Sequence, residues 1–551
     1  MTKFFRMAVM SAIAFGLMLS QSQVASAQSI NDRAAVVVKL NSADKVLSSV
    51  GYMVKSAGFG GMVPLITLGA GQFLDGLDTE KPMGGYLTFN DGVPAFVGFM
   101  PMTDLGAFLD VLEENAQMEI EEDGDDYIMI TPTGDEIVVR EKGGWAFMSD
   151  SADNFGELPA DPAKLVAGID DKYMMGVKAY VQRVPAALRS QAIEWMEEAF
   201  QATNQNLPEG AAEFQQRMNE QSLDQIADMI QETDEVFFGF APSKKDKALF
   251  FDFSFTAKKG SELAKKMVAG KGADTDFGAF LKAENAAMTM NAASKISAED
   301  AESLKAQLST VKDSLGTLLS SDDSQLSQED QVLVEELLGE VIDVALATME
   351  SGKADVGAAV MIDDDGLNAV FAAHVADAKK VEAVVKKLIA ERGDKIPSEV
   401  EVELDASTYK GYTMHLFSGS IPEEEARMVL GEKTTLVVGI GKDKIYGGFG
   451  ASPIDKVKAM IDGKKPTKAE LPSQINIKLS PILRLVGKVT DQAMLEDMAE
   501  QLDDEGNQMI RIYSEYIENG TMSRVEVQEG ILSLIGTAGA GLGGGGFGGD
   551  F

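Results

Sequence analysis

The chain has 551 residues and no cysteine, and its 49 Lys and Arg are outnumbered by 87 Asp and Glu, which gives a formal net charge of -38. This charge repels phosphate backbones, so we expect no nucleic acid partner. The lack of cysteine excludes disulfides, zinc-thiolate sites, iron-sulfur clusters, thiol nucleophiles and an acylated lipoprotein cysteine.

The first 27 residues have the pattern of a secretory signal peptide. Lys3 and Arg6 precede an apolar run over residues 7–19 and the small residues Ala25-Ser26-Ala27. A charged start, an apolar middle and a small-residue cleavage site are typical of exported proteins, so we expect the mature chain to begin at Gln28. No later run approaches the roughly 18 apolar residues of a membrane-spanning helix. We therefore expect an exported protein, periplasmic or extracellular, with no transmembrane segment in the mature chain.

A strand-turn-strand-helix pattern organises the sequence. Gly85 to Phe89 and Ala95 to Met100 are β-rich runs that flank Asn90-Asp91-Gly92, and a helical pattern of apolar residues begins at Leu105. Asn and Gly tolerate the positive φ of tight hairpin turns, so the first part predicts a β-hairpin. Three more hairpins are predicted, around Lys244-Lys245-Asp246, Asp363-Asp364-Asp365-Gly366 and Glu518-Asn519-Gly520.

Each predicted hairpin follows a strand and a helix. These preceding segments are Ala34 to Val54, Met174 to Phe200, Ala287 to Leu319 and Ile475 to Leu502. The chain therefore reads as four strand-helix-hairpin-helix modules.

The spacing of the modules predicts an internal duplication. Asp91 and Asp364 are 273 positions apart, and Lys245 and Asn519 are 274 apart. Extra strands followed by a helix occur over residues 127–169 and again over residues 412–461. Nearly equal offsets are typical of repeated domains. We assign residues 28–275 to a first half, residues 276–535 to a second half that duplicates it, and residues 536–551 to a glycine-rich flexible tail.

The predicted fold class is α+β, with antiparallel sheets and helices packed on one face. Irregular alternation of strands and helices, with many short hairpin turns, favours this class over a doubly wound parallel sheet. Alternation in the second hairpin places Phe251 and Phe253 on one side of the strand and Asp252 and Ser254 on the other. The pattern indicates sheets with one covered face and one face that is at least partly wet.

Two segments carry a resemblance to a group of known proteins. Gly85-Tyr86-Leu87-Thr88-Phe89-Asn90-Asp91-Gly92 and Ile169-Asp170-Asp171-Lys172, in an acidic chain without cysteine and with a signal peptide, resemble the large exported proteins of unknown function of planctomycete-type bacteria. The resemblance implies a location outside the cytoplasm. It implies no active-site residue.

The histidines do not predict catalysis. The chain has two, His374 and His415, and neither lies in a recognisable triad or metal-binding motif. Both are expected on the more polar face of a sheet. We assign no catalytic residue and no cofactor, and we predict that the protein is not an enzyme.

Acidic residues form the sharpest local pattern. Glu399, Glu401, Glu403 and Asp405 alternate with apolar residues, so their carboxylates line one face of a strand, and Glu119 and Glu121 repeat the pattern in the first half. One interpretation is a weak calcium site. Another is a charged edge strand that blocks aggregation. Successive carboxylates on one face are about 6.6 Å apart, which favours the edge strand and leaves the metal site undecided.

Three functions remain open. The first is a non-enzymatic binding or envelope-associated structural protein, with a protein or envelope component as partner. The second is a carrier of lipid or another apolar ligand, because many of the 29 methionines lie on predicted strands and thioethers adapt to apolar ligands. The third is a carboxylate-dependent hydrolase of envelope polymers, although only two tryptophans are available for sugar stacking.

Overall fold

The computed structural model describes residues 30–204, 209–319, 327–363, 366–393, 396–463 and 466–542. The predicted signal peptide, Asp364 and Asp365 of the third predicted turn, and the predicted tail from residue 543 onward lie outside these ranges.

The strands of the described residues are β1 Val36–Leu40, β2 Met83–Asn90, β3 Val93–Pro101, β4 Glu119–Asp123, β5 Asp126–Ile130, β6 Glu136–Glu141, β7 Trp145–Ser149, β8 Met175–Tyr180, β9 Thr233–Ser243, β10 Ala248–Ala257, β11 Asp274–Thr275, β12 Ala286–Lys295, β13 Lys353–Asp363, β14 Gly366–His374, β15 Val400–Tyr409, β16 Tyr412–Ser420, β17 Lys433–Ile440, β18 Lys444–Gly450, β19 Thr467–Lys468, β20 Ser473–Lys478, β21 Met509–Ile517 and β22 Gly520–Gln528.

The α-helices are α1 Ile30–Arg33, α2 Ala43–Val54, α3 Val63–Gly71, α4 Leu105–Ala116, α5 Ala163–Val166, α6 Ala186–Asn204, α7 Glu209–Glu232, α8 Glu262–Ala269, α9 Ala298–Leu319, α10 Gln328–Glu350, α11 Ala378–Arg392, α12 Glu424–Leu430, α13 Pro453–Asp462, α14 Leu479–Thr490, α15 Ala493–Glu505 and α16 Glu529–Leu542.

The chain divides into two compact units that are not continuous in sequence. Unit 1 contains the described residues up to Ala192, Thr233–Ala257 and those from Val527 onward. Unit 2 contains Ile193–Glu232 and Lys258–Glu526. Each unit is described separately below.

Unit 1 is built on an antiparallel sheet, as predicted. Its strands pair in the order β10-β9-β8-β1-β2-β3-β7-β6-β5-β4. Helix α4 covers β5 to β7, where Leu105, Phe108 and Leu109 pack against Met129 and Val139. The helix begins where the Asp104 carboxylate accepts the Ala107 N–H at 3.1 Å, which satisfies a backbone donor at its first turn.

Unit 2 is also built on an antiparallel sheet. Its strands pair in the order β21-β20-β12-β13-β14-β18-β17-β16-β15, with β11 and β19 paired separately. Helix α13 covers one face, where Val457 and Ile461 pack with Val437 and Tyr446. Strands β12 to β18 pair in the order β12-β13-β14-β18-β17-β16-β15, and β1 to β7 pair in the order β1-β2-β3-β7-β6-β5-β4.

The first and fourth predicted hairpins form for the expected reason, whereas Lys247 takes the positive φ in the turn of the second. Asp91 and Gly92 connect β2 to β3 with φ values of 51° and 87°, and Asn519 precedes β22 with a φ of 53°. Asp, Asn and Gly are the residues that adopt this left-handed region most easily. The turn residues therefore fix which strands become neighbours.

Three features differ from the predictions. Two α-helices lie between β1 and β2, between β8 and β9, between β12 and β13, and between β20 and β21, where one was expected at each place. Helices pack on both faces of the unit 2 sheet, whereas the sequence predicted helices on one face only. Helix α13 packs beside Tyr446, and α11 lies over His415 on the opposite face. The tail was expected to begin at Gly536, but α16 extends to Leu542.

Candidate functional site: an open apolar sheet face and a charged cluster

The outer strands of the unit 1 sheet present phenylalanines to solvent. Phe253 of β10 lies opposite Phe238 of β9, and Phe251 lies opposite Phe240. The rings of Phe240 and Phe251 stack with 4.8 Å between their centroids. Phe253 is 49% exposed, and Phe238 and Phe251 are also exposed. A sheet surface this apolar is unusual for a face in water.

The apolar face continues across the neighbouring strands of unit 1. Phe238 lies opposite Val177 of β8, and Val177 lies opposite Val38 of β1. Opposite residues of an antiparallel pair share a face, so aromatic, aliphatic and thioether side chains follow one another across several strands. The row forms a continuous surface, which we call the apolar face of unit 1.

On strand β10, the side that carries the polar residue Asp252 is buried. Asp252 is fully buried and accepts a hydrogen bond from the Tyr173 hydroxyl at 2.6 Å. Lys172 lies 3.8 Å from the same carboxylate oxygen. The strand is amphipathic as predicted, but its exposed side is the aromatic one.

Unit 2 has an apolar face of the same kind. Phe371 of β14 is 49% exposed and its ring lies over Gly447 of β18, where an added Cβ would be 2.0 Å from Cζ of the ring. The absence of a side chain at Gly447 therefore lets the Phe371 ring lie flat on the sheet. The other exposed apolar residues on these strands are Val356, Leu436, Phe449 and Ile512.

A small pocket in unit 2 is partly open to solvent. A cavity of about 270 Å³ is lined by residues that include Gly270, Ala293, Leu471, Pro472 and Tyr516. Pockets for small ligands usually measure about 300–1,000 Å³. An acyl chain would therefore contact an open sheet face more readily than this cavity.

A charged cluster lies at one end of the apolar face of unit 2. Glu382 and Lys386 come from α11, Asp405 comes from β15, and His415 comes from β16. The Lys386 ammonium lies 2.8 Å from Oε1 of Glu382 and 2.8 Å from Oδ1 of Asp405. A β-bulge between Glu403 and Ser407 gives Asp405 a φ of 53° and turns it toward this cluster.

His415 is fully buried in this cluster, contrary to its expected place on a polar face. Its Nδ1 accepts the backbone N–H of Asp405 at 3.1 Å, and its Nε2, which lies 3.8 Å from Oε1 of Glu382, has no hydrogen-bond partner. Burial lowers the pKa of His415 and outweighs the nearby carboxylates of Asp405 and Glu382, which raise it. The ring is therefore neutral at pH 7, and the proton lies on Nε2.

This cluster is the arrangement closest to a metal site in the part of the chain that is described. One donor atom each from Glu382, Asp405 and His415 lie within 4.8 Å of one another. A divalent cation there would displace the Lys386 ammonium, which forms ion pairs with both carboxylates and lowers the pKa of Asp405. The proton on Nε2 would also have to leave. The geometry therefore favours a structural cluster in which Lys386 offsets one of the two carboxylate charges.

A second charged network lies on the covered face of unit 2. Asp355 is almost fully buried, and it accepts the Thr275 hydroxyl at 2.7 Å and the Asp276 N–H at 2.8 Å. Lys353 lies 3.1 Å from Asp355 and 3.0 Å from Asp276, and Lys444 lies 3.2 Å from Asp276. These contacts attach Thr275 and Asp276, at the end of β11, to strand β13.

His374 lies at the edge of this network, on the covered face. Burial lowers the pKa of His374, and the Lys353 and Lys444 ammonium groups lower it further. Since its neighbours in the network are already paired, we assign it a structural role.

Both acidic strands lie at the edges of their sheets, as the second interpretation predicted. Among the described strands, β15 pairs with β16 alone and β4 pairs with β5 alone. Glu401 forms an ion pair with Lys433 at 2.7 Å. Asp405 is the one member of the Glu399–Asp405 run that enters the charged cluster. Sequence analysis did not identify Glu382, Lys386 or Asp355 as members of a charged cluster. The pattern around these residues predicts only the helix or strand in which each one lies.

Comparisons with known proteins identify no relative. No family model matches the chain, and no curated protein and no solved structure matches it significantly.

Proposed function

We propose that the chain is an exported, non-enzymatic binding protein that carries a lipid or another apolar molecule on the apolar faces of its two units. The observation that carries this proposal is the exposure of large apolar side chains on adjacent strands, centred on Phe253 in unit 1 and Phe371 in unit 2. Contiguous apolar patches on a soluble protein are typical of binding surfaces.

The energetics support binding on these faces. Burial of a Phe or Leu side chain that is fully exposed stabilises a complex by about 1.5–3 kcal/mol. Half-exposed side chains contribute less each, but several of them lie side by side on each face. An apolar ligand that covers such a row would therefore recover several kcal/mol before the entropic costs of binding.

Methionines give these faces adaptability. Met288 and Met290 of β12 lie opposite Ile477 and Ile475 of β20, and Met175 of β8 lies opposite Phe240. Thioether side chains adjust to ligands of irregular shape. This favours a carrier of acyl chains or related molecules over a receptor for one rigid ligand.

We infer that the two units arose by duplication and that each binds one ligand. The shared strand order supports this inference, as do the four modules, each of which contains a strand, two helices, a hairpin and a further helix. The signal-like first 27 residues support export. The acidic edge strands suit a protein that stays soluble outside the cytoplasm.

The proposal is tested by titration with the apolar fluorophore N-phenyl-1-naphthylamine. We expect two sites per chain, with Phe253→Ser weakening one of them and Phe371→Ser weakening the other at least tenfold. Trp195→Ser, which removes an exposed aromatic side chain from α6, is the matched control and leaves both sites unchanged. Equal binding by all the variants would contradict the proposal.

A protein or envelope partner on the same faces is the competing outcome. In that case the fluorophore would not bind, and the wild-type chain would self-associate or retain an envelope component. The same two Phe variants would then abolish that association.

A further inference from the structure

A second exposed apolar surface lies outside the sheet of unit 1. Residues 56–74 contain no charged side chain, between Lys55 and Asp75. Leu65 and Leu68 of α3 are 67% and 68% exposed. The helical stretch Ala43–Gly71 is apolar enough to cross a membrane, and only 6% of its most apolar window is buried.

The exposed residues form a stripe. Phe59, Met62, Leu65 and Leu68 are spaced three residues apart along consecutive π, 3-10 and α-helical turns, and all four are exposed. Leu65 and Leu68 are neighbours on the surface of α3, and Phe59 and Met62 precede them in the π and 3-10 turns. We call these four side chains the apolar stripe.

Helix α16 holds this segment in place. The Ser56 hydroxyl donates a hydrogen bond to the Glu529 carboxylate at 2.7 Å. Gly536 lies so close to the segment that an added Cβ would be 1.6 Å from the carbonyl oxygen of Ala57. The segment is therefore fixed on one side while the apolar stripe faces solvent.

The segment is too short to span a bilayer. Gly58 interrupts the helical stretch with a φ of 82°, and the α-helix that follows is Val63–Gly71. A helix of this length extends about 14 Å at 1.5 Å per residue, whereas a bilayer core is about 30 Å thick. A helix of this length can therefore enter only one leaflet of a bilayer.

We propose that the apolar stripe docks the chain on the surface of a lipid bilayer. Charge distinguishes this occupant from a second copy of the chain, because two copies with a net charge of -38 each repel one another, whereas zwitterionic lipid carries no net charge. The uncharged stretch over residues 56–74 can approach lipid without burying a carboxylate of its own. The proposal goes beyond ligand binding and does not depend on it.

The test is flotation of the predicted mature chain, Gln28–Phe551, with vesicles of phosphatidylcholine. We expect the wild-type chain to float with the vesicles, and we expect the double variant Leu65→Glu/Leu68→Glu to lose at least tenfold in binding. The matched control is Val268→Glu/Val332→Glu, which makes the same change in charge at two exposed valines of unit 2 and binds like the wild type.

A direct readout does not depend on the folding of the double variant. Because the chain has no cysteine, Leu68→Cys and Val268→Cys each provide a single site for an environment-sensitive fluorophore. We expect a blue shift on vesicle addition at position 68 and none at position 268. The absence of a blue shift at position 68 would overturn the proposal. It would also be overturned if the wild-type chain were a dimer without vesicles and Leu65→Glu/Leu68→Glu converted it to a monomer, because a second copy would then cover the stripe. Loss of N-phenyl-1-naphthylamine binding would bear on the carrier proposal alone.

Discussion

The backbone N–H of Asp405 donates a hydrogen bond to Nδ1 of His415 at 3.1 Å. A protonated imidazole carries hydrogens on both nitrogens, so protonation of His415 would break this bond inside a buried cluster. The bond and the lowered pKa of His415 therefore point in the same direction: the folded chain disfavours the charged ring.

This relationship predicts a pH dependence of stability. The pKa of His415 is lower in the folded chain than its ordinary value of 6.5, so the unfolded chain binds more protons as the pH falls through that value. Stability is therefore fully present above pH 6.5 and decreases toward pH 5.5. We expect the midpoint of urea unfolding to fall over this interval and to fall less in His415→Gln.

His374 provides the comparison for this measurement. Its pKa is also lowered, so His374→Gln should reduce the same pH dependence, and the double variant should reduce it most. An unchanged slope in His415→Gln would contradict the assigned tautomer and its buried environment. Carboxylates with lowered pKa values change the free energy of unfolding only at more acidic pH, so they do not contribute to the slope measured here.

Removal of the Asp355 carboxylate should destabilise unit 2. Asp355→Ala leaves the Thr275 hydroxyl and the Asp276 N–H without their acceptor and Lys353 without one of its partners. Loss of one partner of a buried ion pair costs about 3–5 kcal/mol, and we expect about 3 kcal/mol because Lys353 is partly exposed. Urea unfolding measures this loss. Glu401→Ala, which breaks an exposed ion pair with Lys433, should leave the midpoint nearly unchanged.

The contact between α16 and the apolar segment predicts a steric effect. Gly536→Ala places a methyl group against the Ala57 carbonyl, so we expect a loss of about 1–3 kcal/mol. Gly69→Ala in α3 is the control, because an added Cβ there meets nothing within 4 Å. Alanine is a better helix former than glycine, so this change should stabilise the chain by up to about 1 kcal/mol. The reverse ranking in thermal unfolding would contradict the packing of α16.

The acidic edge strand predicts protection against aggregation. Glu401→Gln/Glu403→Gln removes two charges from β15, a strand with one neighbour among the described strands, so light scattering during thermal unfolding should increase. If the run instead bound calcium, added calcium would raise the melting temperature of the wild type and not that of the variant. We expect calcium to produce no such difference.

Much of the fold follows from local sequence patterns. Asn90-Asp91-Gly92 and Glu518-Asn519-Gly520 specify hairpins because few residues adopt positive φ easily. Period-two alternation places Phe251 and Asp252 on opposite sides of β10. These signals depend on neighbouring residues, so they can be predicted without knowledge of tertiary contacts.

The site depends on contacts that are distant in sequence. Alternation divides β10 into two sides but does not say which side is covered, and burial of Asp252 depends on Tyr173, which is 79 positions away. Likewise, Glu382 and His415 are 33 positions apart in sequence, so their contact cannot be predicted from local patterns. Such pairings depend on packing, so sequence alone placed His415 on the wrong kind of surface.

The most direct test of the carrier proposal is native mass spectrometry of the chain purified without detergent from its native host, followed by organic extraction. The account predicts excess mass over the Gln28–Phe551 chain that extracts as a defined apolar molecule, with up to two copies per chain. A bare mass, or clean multiples of it, together with no binding of N-phenyl-1-naphthylamine, would contradict the account.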